Sequence, residues 1–230
     1  GAGRGGVMTL RYGALLLLIF TLAGCYPHVA TLEPCREKIP GTSRQLVVVA
    51  RDASVPSGMA ARLYEREDTG WRPVGPAFPV AVGRKGLAPV GEKREGDGRT
   101  PSGVFPLERG FGYEPLTTRL PYIVLTPEMI WIDDPRSERY NVLAEKNDGA
   151  GFSYEIMRRA DDLYKYGVVL EYNTRPVVPG AGSAIFFHIW RGPSSSTAGC
   201  VAMSERDMVR LLTWLDPARK PLAVIGDVCR

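Results

Sequence analysis

The sequence predicts a mainly β protein, a β-sandwich with a few short helices. Three observations carry this expectation. Short apolar runs of strand length recur through residues 45–230, with Gly, Pro and Asp turn signals between them. Only the segment after Ser204 has the apolar spacing of a clear helix. No linker or composition shift divides residues 45–230, so one domain is expected there. The 230 residues are 44% hydrophobic and 23% charged, which suits a chain that buries a core and excludes a disordered or collagen-like one.

The elements follow in order. Leu46 to Ala50 (LVVVA) reads as a buried strand, and Arg62 to Arg66 alternates as the next. Residues 71–82 carry Trp71, Phe78 and valines, but Pro73, Pro76 and Pro79 remove backbone donors and leave only edge strands or turns. Residues 83–103 are rich in Gly and charge, with turn signals at Gly96-Asp97-Gly98 and Thr100-Pro101. They read as one long surface loop or a hairpin with ragged strands. Tyr122 to Leu125, Ile130 to Ile132, Val168 to Tyr172 and Ala184 to His188 read as strands, and residues 152–163 as a short helix. Ser204 with Asp207 makes an acidic variant of the capping box, and Met208, Leu211, Leu212 and Leu215 follow on one apolar face. Asp216-Pro217 stops that helix, and Leu222 to Ile225 makes a last strand.

Upstream, Arg11 precedes an uncharged run, Gly13 to Ala23. As a helix this run rises about 17 Å, short of the ~30 Å hydrocarbon core. It therefore reads as the apolar region of a signal peptide, with Met8 as the start and Gly1 to Val7 as an upstream extension. The run ends Leu22-Ala23-Gly24-Cys25, small residues before a cysteine, which resembles a bacterial lipoprotein signal with Cys25 lipidated. An ordinary secretory signal with an incidental cysteine is the other reading. A lipid on Cys25 would tether the chain to a membrane from outside the cytoplasm, in the periplasm or elsewhere in the cell envelope. The expected organisation is 1–25 signal peptide and lipidation site, 26–44 linker and 45–230 folded domain. The formal charge of +4 falls to +2 without residues 1–24, and no run of five like charges occurs, so nothing points to nucleic acid.

Four cysteines without a CxxC pair suggest neither a disulfide scaffold nor a zinc site. Cys35 and Cys229 lie near the ends of the mature chain and could pair in an oxidising compartment, or remain two thiols. That leaves Cys200 as a candidate reactive thiol. The chain has two histidines, and His28 lies in the linker. His188 ends the apolar run SAIFFH, and Thr197-Ala198-Gly199-Cys200 follows just before the capped helix. A hairpin-like excursion between them can return Cys200 beside His188. Imidazole is the right base for a thiol near neutral pH, Gly199 allows close substrate approach, and the N–H groups around Cys200 could hold an oxyanion. Against this, strand-end histidines are often structural and lone cysteines often simply buried. A zinc site is disfavoured, because two ligands are not four.

At this point the segment HIWRGPSSSTAGCVAM (188–203) resembles the signature of the L,D-transpeptidase (YkuD-type) catalytic domain: a histidine, a loop, then Ser/Thr-His-Gly-Cys, an aliphatic residue and Arg. Upstream, GDGRTPSGVFPL (96–107) is similar to that family's Thr-Pro-x-Gly-x-Phe segment. Asp133-Asp134, Tyr140-Asn141 and Asp162-Leu163-Tyr164 also look like one branch of the family, and the resemblance covers residues 45–228. It implies a β-sandwich acting on peptidoglycan stem peptides, with no cofactor and no metal. Cys200 would be the nucleophile and His188 the base, oriented by a backbone carbonyl, with Gly199 and the Cys200 N–H at the oxyanion. A thioester would pass to an amine acceptor. An L,D-carboxypeptidase or hydrolase using the same thioester, and a catalytically silent wall-binding lipoprotein, are the alternatives. The sequence departs from the pattern twice: Ala198 replaces the family histidine and Ala202 the arginine. Thr197 and Ala198 keep backbone groups for substrate, and Arg191 or Arg99 is the substitute cation suggested by charge alone.

Overall fold

The computed structural model describes residues 1–3 and 38–228. Sixteen strands and one α-helix are described. The chain opens with β1 (Gln45–Arg51), β2 (Met59–Glu67), β3 (Gly70–Pro73) and β4 (Phe78–Pro79). β2 pairs antiparallel with β1, β3 and β4, so the proline-rich segment lies where donors are dispensable. β5 (Leu87–Ala88) and β6 (Thr100–Pro101) pair in parallel, where a hairpin would have been antiparallel. β7 (Gly103–Pro106), β8 (Gly110–Gly112), β9 (Tyr122–Val124), β10 (Met129–Ile132) and β11 (Val142–Glu145) follow. Then come β12 (Tyr154–Ile156), β13 (Tyr166–Val169), β14 (Phe186–Ile189), β15 (Val201–Met203), α1 (Glu205–Trp214) and β16 (Leu222–Ile225).

One sheet runs β3-β2-β1-β16-β7, with β4 added on β2; β1 and β16 are parallel neighbours. A second runs β15-β14-β13-β8-β9, and a third β11-β10-β12. The second sheet is the middle layer. Val168, Phe187, Val201 and Met203 face a core shared with Val47, Val49 and Leu63 of the first sheet and with Met208, Leu211 and Leu212 of α1. Val169 and Phe186 face the opposite way, into a cluster with Phe111, Trp131, Tyr164 and Cys200. Burial on both faces explains why the β14 segment is continuously apolar rather than alternating.

The helix expectation at 152–163 is corrected. Tyr154–Ile156 instead pairs with β10, whose edge would otherwise lie open. Beyond it, Asp162 takes φ 57°, which no α-helix accommodates, and Arg158 Nη1 donates to the carbonyls of Tyr113 (2.8 Å) and Leu125 (3.0 Å). α1 begins at its expected cap: the Ser204 hydroxyl accepts from Asp207 N at 3.1 Å. Among the described residues, no helix is long and apolar enough to cross a membrane. The 13–23 run, Cys25, Cys35 and Cys229 lie outside the described residues.

Candidate active site

The site grows from the parallel pair β14–β15. Phe187 registers with Val201 and His188 with Ala202, so Cys200, one residue before β15, stands on the same face as Phe186 and His188. The turn ahead of β15 is pinned from two sides. Thr197 Oγ1 donates to the Cys200 carbonyl at 2.7 Å and accepts from Gly199 N at 3.1 Å. Thr100 Oγ1 donates to the same carbonyl at 3.0 Å while accepting from Gly83 N at 2.9 Å. Thr100 of the upstream motif thus holds the peptide that follows the thiol. Space at Gly199 is tight: a Cβ there would lie 3.1 Å from Arg99 O and 3.2 Å from Ile185 Cδ1, so a side chain would make these neighbours shift.

Residues before β14 are held just as firmly. Ala184 takes φ 53°, which ends the strand two residues short of its expected start, and its N–H donates to Asn141 Oδ1 at 3.0 Å. The Cys200 thiol donates to the Ala184 carbonyl (3.3 Å) and accepts from Phe186 N (3.4 Å), so it is engaged with this segment rather than with the imidazole. Burial, reinforced by the nearby Glu155 charge, pushes the thiol up to about 12. His188 Nδ1 lies 2.7 Å from the Ile189 carbonyl, which leaves Nε2 to act on a ligand when Nδ1 carries the proton. Burial pushes His188 down to about 4. The Tyr164 ring meets the imidazole edge-on, at 5.2 Å between centroids, and its hydroxyl donates to Glu155. At rest the pair is a neutral thiol and a neutral imidazole.

Both open into a cavity of about 370 Å³. Thr197, Ala198, Gly199, Ala202 and Arg191 line it; Arg99 does not, and its carbonyl instead packs close to Gly199 while its N–H donates to Asp97 Oδ1. Lys93, Glu155 and Arg159 line it as well, although sequence reasoning singled out none of them for the site. The signal for Lys93 is that the charged stretch at 83–103 leads into the Thr-Pro motif; Glu155 and Arg159 carry none.

A buried thiol and a carbonyl-oriented imidazole, on adjacent strands of a β-sandwich, define a fold carrying a cysteine–histidine cavity. The family model for the YkuD L,D-transpeptidase catalytic domain matches residues 58–224, and the chain belongs to that family. Among solved structures it is similar to the helical cell shape determining protein Pgp2 from Campylobacter jejuni, at 14% identity and a TM-score of 0.41. That match covers 79% of this chain and 48% of Pgp2, so the chain spans about half of that protein's length. No curated protein matched.

Proposed function

We propose that this chain is a cysteine L,D-transpeptidase of peptidoglycan, with residues 45–230 as its catalytic domain, Cys25 as a lipid anchor outside the cytoplasm and Cys35 bridged to Cys229. The observation that carries the reading is the placing of Cys200 and His188 on one face of β14–β15, opening into a single polar cavity. His188 Nε2 takes the thiol proton as sulfur attacks the carbonyl of a stem-peptide linkage. The tetrahedral intermediate collapses to a thioester, and the same proton passes to the leaving amine. An acceptor amine then attacks the thioester and gives its proton to His188, and collapse breaks the carbon–sulfur bond as that proton returns to the Cys200 sulfur. The Ile189 carbonyl keeps the ring oriented throughout.

The test incubates the domain with defined tetrapeptide muropeptides beside a Cys200→Ala control and reads product masses. A crosslinked dimer lacking one terminal D-Ala, absent in the control, is expected. A tripeptide monomer alone would reassign the reaction to hydrolysis of the thioester, and no Cys200-dependent product would overturn the reading.

A further inference from the structure

Among the described residues four cations line the cavity, and one of them is buried. Arg159 and Arg191 share Asp161 at 2.7 and 2.9 Å, and Arg84 is exposed. The Lys93 side chain is only 3% exposed. Its stem runs between two glycines: a Cβ at Gly182 would lie 3.1 Å from Lys93 Cγ, and one at Gly199 would lie 3.7 Å from Lys93 Cε. Lys93 Nζ donates to Asp97 Oδ1 and to the Arg94 carbonyl, both at 2.7 Å. An ammonium has three N–H bonds, so one remains for a ligand.

Asp97 is itself fixed. Burial opposes its charge, yet the hydrogen bonds from Lys93 and from the N–H groups of Arg94 (2.9 Å) and Arg99 (2.8 Å) win and hold its carboxyl below the usual range. The charged loop is thus a cradle that fixes one ammonium beside Gly199, the residue before the thiol. Burying that ammonium costs desolvation that an apolar side chain would avoid. Of the two N–H groups at the thiol, that of Gly199 is taken by Thr197, whereas that of Cys200 has no partner among the described residues.

We propose that Lys93 is a catalytic residue of the acyl transfer argued above: its ammonium and the Cys200 N–H together receive the oxyanion. The step balances without it. The sulfur–carbon bond forms as the carbonyl π pair moves to oxygen, while His188 holds the thiol proton. Collapse re-forms the carbonyl, breaks the carbon–nitrogen bond and delivers that proton to the amine. Lys93 transfers nothing and lowers the energy of the charged oxygen, as preorganised donors do.

Two readouts test this, one independent of any peptide. In muropeptide kinetics, Lys93→Met lowers kcat about 100-fold while KM stays within about threefold, and Lys93→Arg restores most of the loss. In alkylation mapped to the Cys200 peptide, the rate ratio of iodoacetate to iodoacetamide falls about fivefold in Lys93→Met and is kept in Lys93→Arg. Lys93→Gln replaces Lys93→Met if the latter fails to fold. A raised KM at unchanged kcat, or an unchanged alkylation ratio, overturns the proposal. Absence of Cys200-dependent transfer in the wild type overturns the functional reading and the catalytic role with it, whereas the alkylation ratio still reports whether an anion site exists.

Discussion

His188 is 6% exposed and Cys200 7% exposed, and burial of each favours its uncharged form. The resting pair therefore stores no charge in the core, and proton transfer has to accompany attack. The same burial has a cost in stability that depends on pH. In the unfolded chain His188 binds its proton near 6.5, and in the fold only near 4. Between those values the unfolded state carries the extra proton, so stability falls as pH drops from 6.5 towards 4, by about 3 kcal/mol for this group. Urea midpoints at pH 7 and pH 4.5 should differ by less in His188→Gln than in wild type, because carboxylates that titrate nearby act equally in both. An unchanged difference would mean that the imidazole is protonated in the fold. For the thiol the sign reverses: its folded value of about 12 lies above 9, so stability falls as pH rises through that interval.

At the scale of elements, the segment that accepts the thiol's hydrogen bond hangs on Asn141. Its Oδ1 accepts from Trp131 Nε1 (2.9 Å) and Ala184 N (3.0 Å), and its Nδ2 donates to the carbonyls of Tyr172 (3.1 Å) and Asn173 (2.8 Å). Asn141 also sits at φ 61°, a conformation asparagine tolerates better than alanine. Asn141→Ala should lower stability by about 2–4 kcal/mol in denaturant titration, and Asn141→Gly, which relieves only the backbone, should recover about 1 kcal/mol of it. Equal stability of Asn141→Ala and wild type would show that water replaces these bonds. The same contrast explains what could be read in advance. β1, β14, β16 and α1 announce themselves because their apolar spacing records burial directly. β8 does not: a Cβ at Gly112 would come within 2.0 Å of Tyr122 Oη, so that strand is chosen for closeness and carries no pattern. β15 is three buried residues, too few to show a spacing. Cys200 and His188 were legible because they are close along the chain. Lys93, Thr100 and Glu155 join them only through tertiary closure, which spacing along one sequence does not encode.

Over the whole molecule, the two ends of the stretch 38–228 meet. β1 lies parallel to β16, Ile39 and Val228 are buried in one cluster with Leu46, Tyr64, Leu222 and Val224, and Lys38 Nζ donates to the Val228 carbonyl. Cys35 stands three residues before Lys38, and Cys229 follows Val228. Residues 38–39 and Val228 are thus brought together, and in an oxidising compartment a Cys35–Cys229 bridge would close a loop spanning nearly the whole domain. The chain-entropy model assigns such a loop about 5 kcal/mol as an upper value, because the unfolded chain loses the most freedom when its ends are tied. Non-reducing peptide mapping of exported protein should recover the Cys35 and Cys229 peptides as one linked pair, with Cys200 unlinked and slowly alkylated in the fold. Reduction should then lower the melting temperature without changing Cys200-dependent chemistry, since Ile39 and Val228 pack on the first sheet and the thiol lies beyond the second. Recovery of both cysteines as free thiols would remove the bridge and leave the packing of Ile39 and Val228, the Lys38–Val228 hydrogen bond and the β1–β16 pairing to hold the ends together.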